Sequence, residues 1–143
     1  MSVTTDSVGS VVTSRLPSLS TIGVNALGFI QSLRAKAQLL GNSKIIDAKC
    51  IKSALVADVG FINLYEVEVR GSVLSLSSLM NGRLRGYSAV DLSAELVQGL
   101  SLYLRDLDSQ YLYLLEYPDG FILAINDSLL GFQINATTKN HTN

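Results

Sequence analysis

The chain has one cysteine and one histidine, and each scarcity excludes a class of site. Cys50 has no second thiol to pair with, so an intrachain disulfide, a cysteine-based zinc site and a CxxC redox pair are all excluded. His141 lies in a polar C-terminal tail, where a catalytic triad or a histidine metal site would depend on a frayed terminus. We therefore expect no enzyme activity, no metal and no cofactor.

Charge of either sign is also scarce. Charged residues make up 16% of the chain against 48% apolar residues, and 11 Lys and Arg nearly balance 12 Asp and Glu. Such a balance provides no overall field to attract nucleic acid. The apolar excess predicts that part of the surface lies against a protein partner, in a homo- or hetero-oligomer.

Long hydrophobic runs are absent, because charged residues interrupt every candidate for the roughly 20 apolar residues that cross a bilayer. The first 20 residues are rich in Ser and Thr and contain no apolar core like that of a signal peptide. We expect a cytoplasmic protein, placed at a membrane surface only through its partners. Its predicted organisation is a disordered arm over 1–20, one domain over 21–136 and a disordered polar tail over 137–143.

The first patterned segment predicts an amphipathic helix, because its apolar residues recur at steps of three and four. Ser20 or Thr21 would cap its start and Gly41 would end it. The apolar stripe suits either the domain's own core or a groove on another protein. Its members are Ile22, Ala26, Phe29, Leu33, Ala37 and Leu40. The period over Ser43 to Val59 is ambiguous between helix and strand, and we favour a helix that ends near Gly60.

Extended patterns follow. Residues 61–69 alternate, with Glu66 and Glu68 on the face opposite the aromatic and branched residues, which predicts a half-buried strand. These two carboxylates could form a catalytic pair, but a solvated strand face is the preferred interpretation. Asn81-Gly82 then predicts a tight hairpin between strands at 72–79 and 83–87.

A second helix is predicted over Ala89 to Leu107, with Ser88 and Asp91 as an approximate capping box. Gly99 in its interior indicates a close contact, either with the domain's own sheet or between two such helices. A three-stranded meander over 111–117, 121–125 and 129–134 completes the pattern. We expect a single small α+β domain, in which an antiparallel sheet of about five strands packs with two or three helices. The leucine stripe of the helix is Leu92, Leu96, Leu100, Leu104 and Leu107.

This order of hairpin, long helix and meander over Ser72 to Ala136 resembles the roadblock/LC7 domain of dynein light chains and Ragulator-type scaffolds. The resemblance implies a roadblock-like fold and a non-catalytic scaffold or adaptor. It implies a dimer joined through a helix and a strand edge, with a platform for a small GTPase or a larger complex. The residues that would lie in the joint are Leu96, Gly99, Tyr103, Tyr111 and Tyr113.

A second interpretation stays open. A Ser/Thr-rich arm followed by a compact sheet domain also suits a structural or accessory protein of an assembly, such as a viral one. In that case the arm and the first helix would contact neighbouring copies of the chain.

Overall fold

The computed structural model describes residues 23–41, 43–71, 84–108, 110–125 and 127–135. In this part of the chain, one antiparallel sheet of six strands has a long helix on one face and two short helices on the other. The predicted small α+β domain is therefore confirmed, with one strand more than expected. In chain order the elements are α1 (Val24–Leu40), β1 (Ser43–Val56), β2 (Gly60–Gly71), β3 (Tyr87–Val90), α2 (Ala94–Gly99), α3 (Ser101–Leu104), β4 (Leu112–Tyr117), β5 (Gly120–Ile125) and β6 (Ser128–Ile134).

Some predictions concern residues outside the described ranges. These are the arm at 1–20, the cap at Ser20 or Thr21, the strand at 72–79, the Asn81-Gly82 turn and the tail at 137–143.

Helix α1 packs on the domain's own core. Four residues of the predicted stripe, Ala26, Phe29, Leu33 and Ala37, are fully buried. Ile30, which was not part of that stripe, is fully buried as well, whereas Leu40 is only partly buried and Ile22 lies outside the described ranges. The helix ends where expected, because Gly41 adopts a left-handed conformation (φ 79°) and its N–H donates to the carbonyl of Ala37 at 3.1 Å.

Among the described residues, no helix combines the length and the apolarity needed to cross a bilayer.

The prediction of a helix over Ser43 to Val59 is wrong, since these residues form β1 and the turn that follows it. Two register irregularities interrupt the pairing of β1 with β2, one between Ile45 and Asp47 and one between Cys50 and Lys52. A bulge inserts one residue and so breaks the alternation of faces. Apolar positions then fall three or four residues apart, which imitates a helical period. Cys50 lies on β1 and is exposed.

The strand order across the sheet is β1-β2-β4-β5-β6-β3. The predicted strand at 61–69 is confirmed as β2, and the predicted meander as β4, β5 and β6. Strand β4 has neighbours on both sides and apolar residues on both faces, which explains why its sequence does not alternate.

The continuous helix over Ala89 to Leu107 is also wrong. The predicted return strand over 83–87 is wrong too, because residues 84–86 are not in a strand. A strand begins only at Tyr87, and this strand, β3, pairs with β6. The true N-cap is Ser93, whose hydroxyl accepts from the Leu96 N–H at 3.1 Å. The helix stops at Gly99, because Leu100 leaves the helical conformation (φ −101°, ψ 4°). The leucine stripe nevertheless packs on the sheet, with Leu100 fully buried.

Candidate interaction surface

The sheet extends past the start of α1 on the face that this helix covers. The backbone of Gly23, directly before α1, hydrogen-bonds the phenol oxygen of Tyr65 on β2. Phe61 lies four residues from Tyr65 and therefore on the same face, and Leu55 of β1 is its register partner. Phe61 is 58% exposed and Leu55 is 79% exposed. We call Leu55 and Phe61 the apolar pair.

A row of hydrogen-bonded polar side chains lies between the apolar pair and α1. Ser53, Asn63 and Glu116 are register partners on β1, β2 and β4. The Ser53 hydroxyl donates to Asn63 Oδ1 at 2.5 Å, and Asn63 Nδ2 donates to Glu116 Oε1 at 3.3 Å. The Tyr65 phenol donates to the same carboxylate oxygen at 3.2 Å. We call Ser53, Asn63, Tyr65 and Glu116 the polar ladder. Hydrogen bonds to an ionised acceptor are stronger than neutral ones, so the ladder holds the carboxylate in place.

The phenol of the ladder is electrostatically unusual. Burial raises the pKa of Tyr65 well above its ordinary value, and the Glu116 carboxylate raises it further, because both favour the neutral phenol. The hydrogen bond from the Gly23 backbone acts in the opposite direction. Burial also raises the pKa values of Tyr87, Tyr113 and Tyr117.

These shifts predict a loss of stability in alkali. Unfolded tyrosines release their protons near pH 10, whereas folded tyrosines with raised pKa values retain them. The free energy of unfolding therefore keeps this contribution below pH 10 and loses it as pH rises above that value, by up to ~1.4 kcal/mol per pH unit for each retained proton. Urea unfolding between pH 9 and pH 11 measures the slope. Tyr65→Phe should reduce it, and an unchanged slope in this variant would contradict the assignment to Tyr65.

A cavity of about 360 Å³ adjoins the polar ladder at the start of α1. The residues that line it include Glu116 and Asp119, Asn25 and Gln133, and Tyr117 and Phe121. Within the described ranges, no lysine or arginine lines this cavity. The Asp119 carboxylate adds to the effect of burial in raising the pKa of Tyr117. The cavity therefore has an acidic wall.

The predicted carboxylate pair lies on the other face of the sheet. Glu66 and Glu68 line a second cavity of about 180 Å³ with Asp47, Lys49 and Tyr111. Lys49 Nζ lies 3.8 Å from Glu66 Oε1, and the Lys49 side chain is 62% exposed. An exposed ion pair of this kind stabilises a fold by about 0–1 kcal/mol. In the part of the chain that the structure describes, no three His, Cys, Asp or Glu side chains are grouped to hold a metal ion.

Four of the five residues predicted for a subunit joint contact the domain's own sheet. Leu96, Tyr103, Tyr111 and Tyr113 belong to the cluster beneath α2 and α3, and Tyr113 is only 5% exposed. Gly99 is exposed at the end of α2, where an added methyl group would approach Val59 Cγ2 at 3.6 Å. Because β4 is paired on both sides, the edges of the described sheet are β1 and β3, and among the described strands only these could join two subunits by a strand edge.

No local sequence pattern indicates the polar ladder or the apolar pair. The alternation over 61–69 predicts that Phe61 and Tyr65 share a face, but no nearby residue indicates that α1 begins too late to cover Phe61. Asn63 and Glu116 are 53 positions apart in the chain, and only the strand register brings them together.

Comparison with protein-family models, with curated proteins and with solved structures gives no match. The roadblock/LC7 resemblance therefore stays a prediction.

Proposed function

We propose that this chain is a non-catalytic scaffold or adaptor subunit, which pairs with a second subunit and presents a surface to a partner protein. The observation that carries the proposal is the exposed apolar pair beside the polar ladder. Leu55 and Phe61 are directly opposite each other, so they form one apolar surface, whereas singly exposed apolar residues are common on any protein. The roadblock/LC7 resemblance makes a small GTPase or a larger complex the partner class in this proposal.

In our proposal, the subunit joint lies on α2 and α3 and on the neighbouring edge of β1. Helices α2 and α3 lie beside the β1–β2 hairpin, since Lys52 Nζ is 5.8 Å from the centre of the Tyr103 ring. Gly99 and the 62% exposed Leu102 face outward from these helices. Among the residues that the structure describes, β1 is the outermost strand on this side, and its two bulges interrupt the edge. In our proposal the helices therefore supply most of the contact.

The solution mass tests the pairing. Light scattering at micromolar concentration should give twice the mass of the chain, or the mass of a heterodimer when the protein is isolated with its native partner. A monodisperse monomer under both conditions would contradict the proposal.

Gly99→Ala separates a role in pairing from a role in folding. The backbone of Gly99 is helical and exposed, and an added methyl group makes only an ordinary contact with Val59. Alanine should therefore raise the free energy of unfolding of the monomer by about 0.5–1 kcal/mol. If Gly99 lies in a close subunit contact, the same change should weaken dimerisation. Gln98→Ala on the same helix is the control. Leu102→Ser changes a second exposed residue of the proposed joint. If neither Gly99→Ala nor Leu102→Ser weakens dimerisation, the joint does not lie on α2 and α3.

A second candidate function is an assembly protein whose first helix contacts neighbouring copies. It is favoured by two exposed residues at the ends of α1, Val24 at 86% and Leu39 at 82%. Deleting the helix cannot test this candidate, because Phe29 and Leu33 belong to the core. Val24→Ser with Leu39→Ser is the sharper test, since it should abolish oligomers larger than dimers in an assembly protein and leave a scaffold dimer intact.

A further inference from the structure

The acidic cavity and the apolar pair are neighbours on the same face of the sheet. Asn63 is the register partner of Glu116, and Phe61 lies two residues from Asn63 on the same face. Phe61 is therefore a diagonal neighbour of Glu116, at a distance of roughly 7–8 Å between Cα atoms. In an extended peptide, side chains two residues apart point the same way and are about 6.8 Å apart. One extended segment can thus contact both features.

The charge of the cavity selects one kind of side chain. Glu116 and Asp119 contribute two carboxylates, and the residues that the structure describes contribute no cation to the wall. A guanidinium or ammonium group would complement this charge and would donate hydrogen bonds to the two carboxylates.

We infer that this face binds an extended segment of a partner protein in which a lysine or arginine lies two residues from a large apolar residue. The basic side chain enters the cavity between Glu116 and Asp119, and the apolar side chain covers Leu55 and Phe61. The inference rests on the proposed function and specifies the chemistry of the partner. The polar ladder has a positioning role, because Asn63 and Tyr65 hold the Glu116 carboxylate at the cavity.

Synthetic peptides test this chemistry on the full chain. The probe is an acetylated and amidated heptapeptide, Ser-Gly-Arg-Ser-Leu-Gly-Ser. One comparison peptide replaces its arginine with glutamate, and another places arginine and leucine next to each other. NMR titration should shift the amide signals of Phe61, Asn63 and Glu116. The probe should bind at least about five-fold more tightly than either comparison peptide, because only the probe presents both side chains to one face.

Variants assign the affinity to residues. Asp119→Asn and Glu116→Gln should each weaken binding by about two- to five-fold, the range expected of an exposed charge pair. Asp119→Asn leaves the polar ladder intact, so its effect does not depend on the fold of the ladder. Phe61→Ser should weaken binding about ten-fold or more, through the loss of buried apolar area. Glu95→Gln and Leu39→Ser, at exposed positions on α2 and α1, are the matched controls and should have no effect.

Four results would overturn the inference. The first is that all three peptides bind equally well, and the second is that the control variants lose as much affinity as Phe61→Ser. The third is that Phe61→Ser dissociates a dimer, and the fourth is that Phe61→Ser shifts the NMR signals of residues 1–22. The third result would identify a second copy as the occupant, and the fourth would identify the chain's own N-terminal segment. If the protein is a dimer but the peptides do not bind, the inference is overturned and the proposed pairing stands. If the protein is a monomer that binds the probe, the docking face is supported and the proposed pairing is contradicted.

Discussion

Phe29→Ala is expected to lower the free energy of unfolding by about 3–5 kcal/mol, the range for removing a large buried ring. Phe29 is fully buried and joins α1 to three strands. Its ring centre lies 4.9 Å from that of Tyr87, 4.8 Å from that of Phe121 and 5.2 Å from that of Phe132. Each aromatic pair adds about 0.5–1.5 kcal/mol beyond area burial, and alanine removes all three together.

Urea unfolding followed by circular dichroism measures this loss. Val24→Ala is the control on the same helix, because Val24 is 86% exposed and should change the free energy of unfolding by no more than about 0.5 kcal/mol. A loss in Phe29→Ala no larger than in this control would mean that α1 is not packed on the sheet as described. The polar ladder would then have no helix beside it.

Gly120→Ala is expected to lower the free energy of unfolding by about 3 kcal/mol, near the upper end of the range for overpacked cores. A methyl group at Gly120 would overlap the carbonyl oxygen of Phe132. That oxygen belongs to the backbone of β6, so no side-chain rotation can relieve the contact. The strands β5 and β6 would have to separate, and Phe121, which is one of the residues lining the acidic cavity, would move with them.

The same substitution at Gly99 is the control for Gly120→Ala, since its expected effect has the opposite sign. Hydrogen exchange should show faster opening of the β5 and β6 amides in Gly120→Ala, while the amides of β1 and β2 change less. Equal stability of the two alanine variants would contradict the close approach of Gly120 to β6.

Local patterns predicted the elements whose periods are uninterrupted. Helix α1 has a regular apolar stripe from Ala26 to Ala37, and the meander is bounded by turn residues such as Pro118 and Asp119. In these segments the burial of each side chain follows from its own neighbours in sequence. The type of each of these elements was therefore predicted correctly.

The two wrong helix predictions fail for different physical reasons. In β1, the bulges near Asp47 and Ile51 shift the alternation and produce a helix-like spacing. In residues 87–107, the leucine stripe was predicted to lie on one continuous helix, but residues 87–90 instead form a strand that pairs with β6. Hydrogen bonds to a distant strand outweigh the local helical preference there, and no residue near Ala89 indicates that such an edge exists.

Apolar periodicity and turn residues were enough to specify a sheet with amphipathic helices, because both act over a few neighbouring positions. Only the tertiary structure shows which strands lie at the edges of the described sheet and which part of the sheet α1 leaves uncovered. Only the tertiary structure shows that Asn63 hydrogen-bonds Glu116. Those features depend on the register between strands some 50 positions apart in the chain. Register is set by the packing of the whole sheet, and a shift of one residue would turn Glu116 to the opposite face.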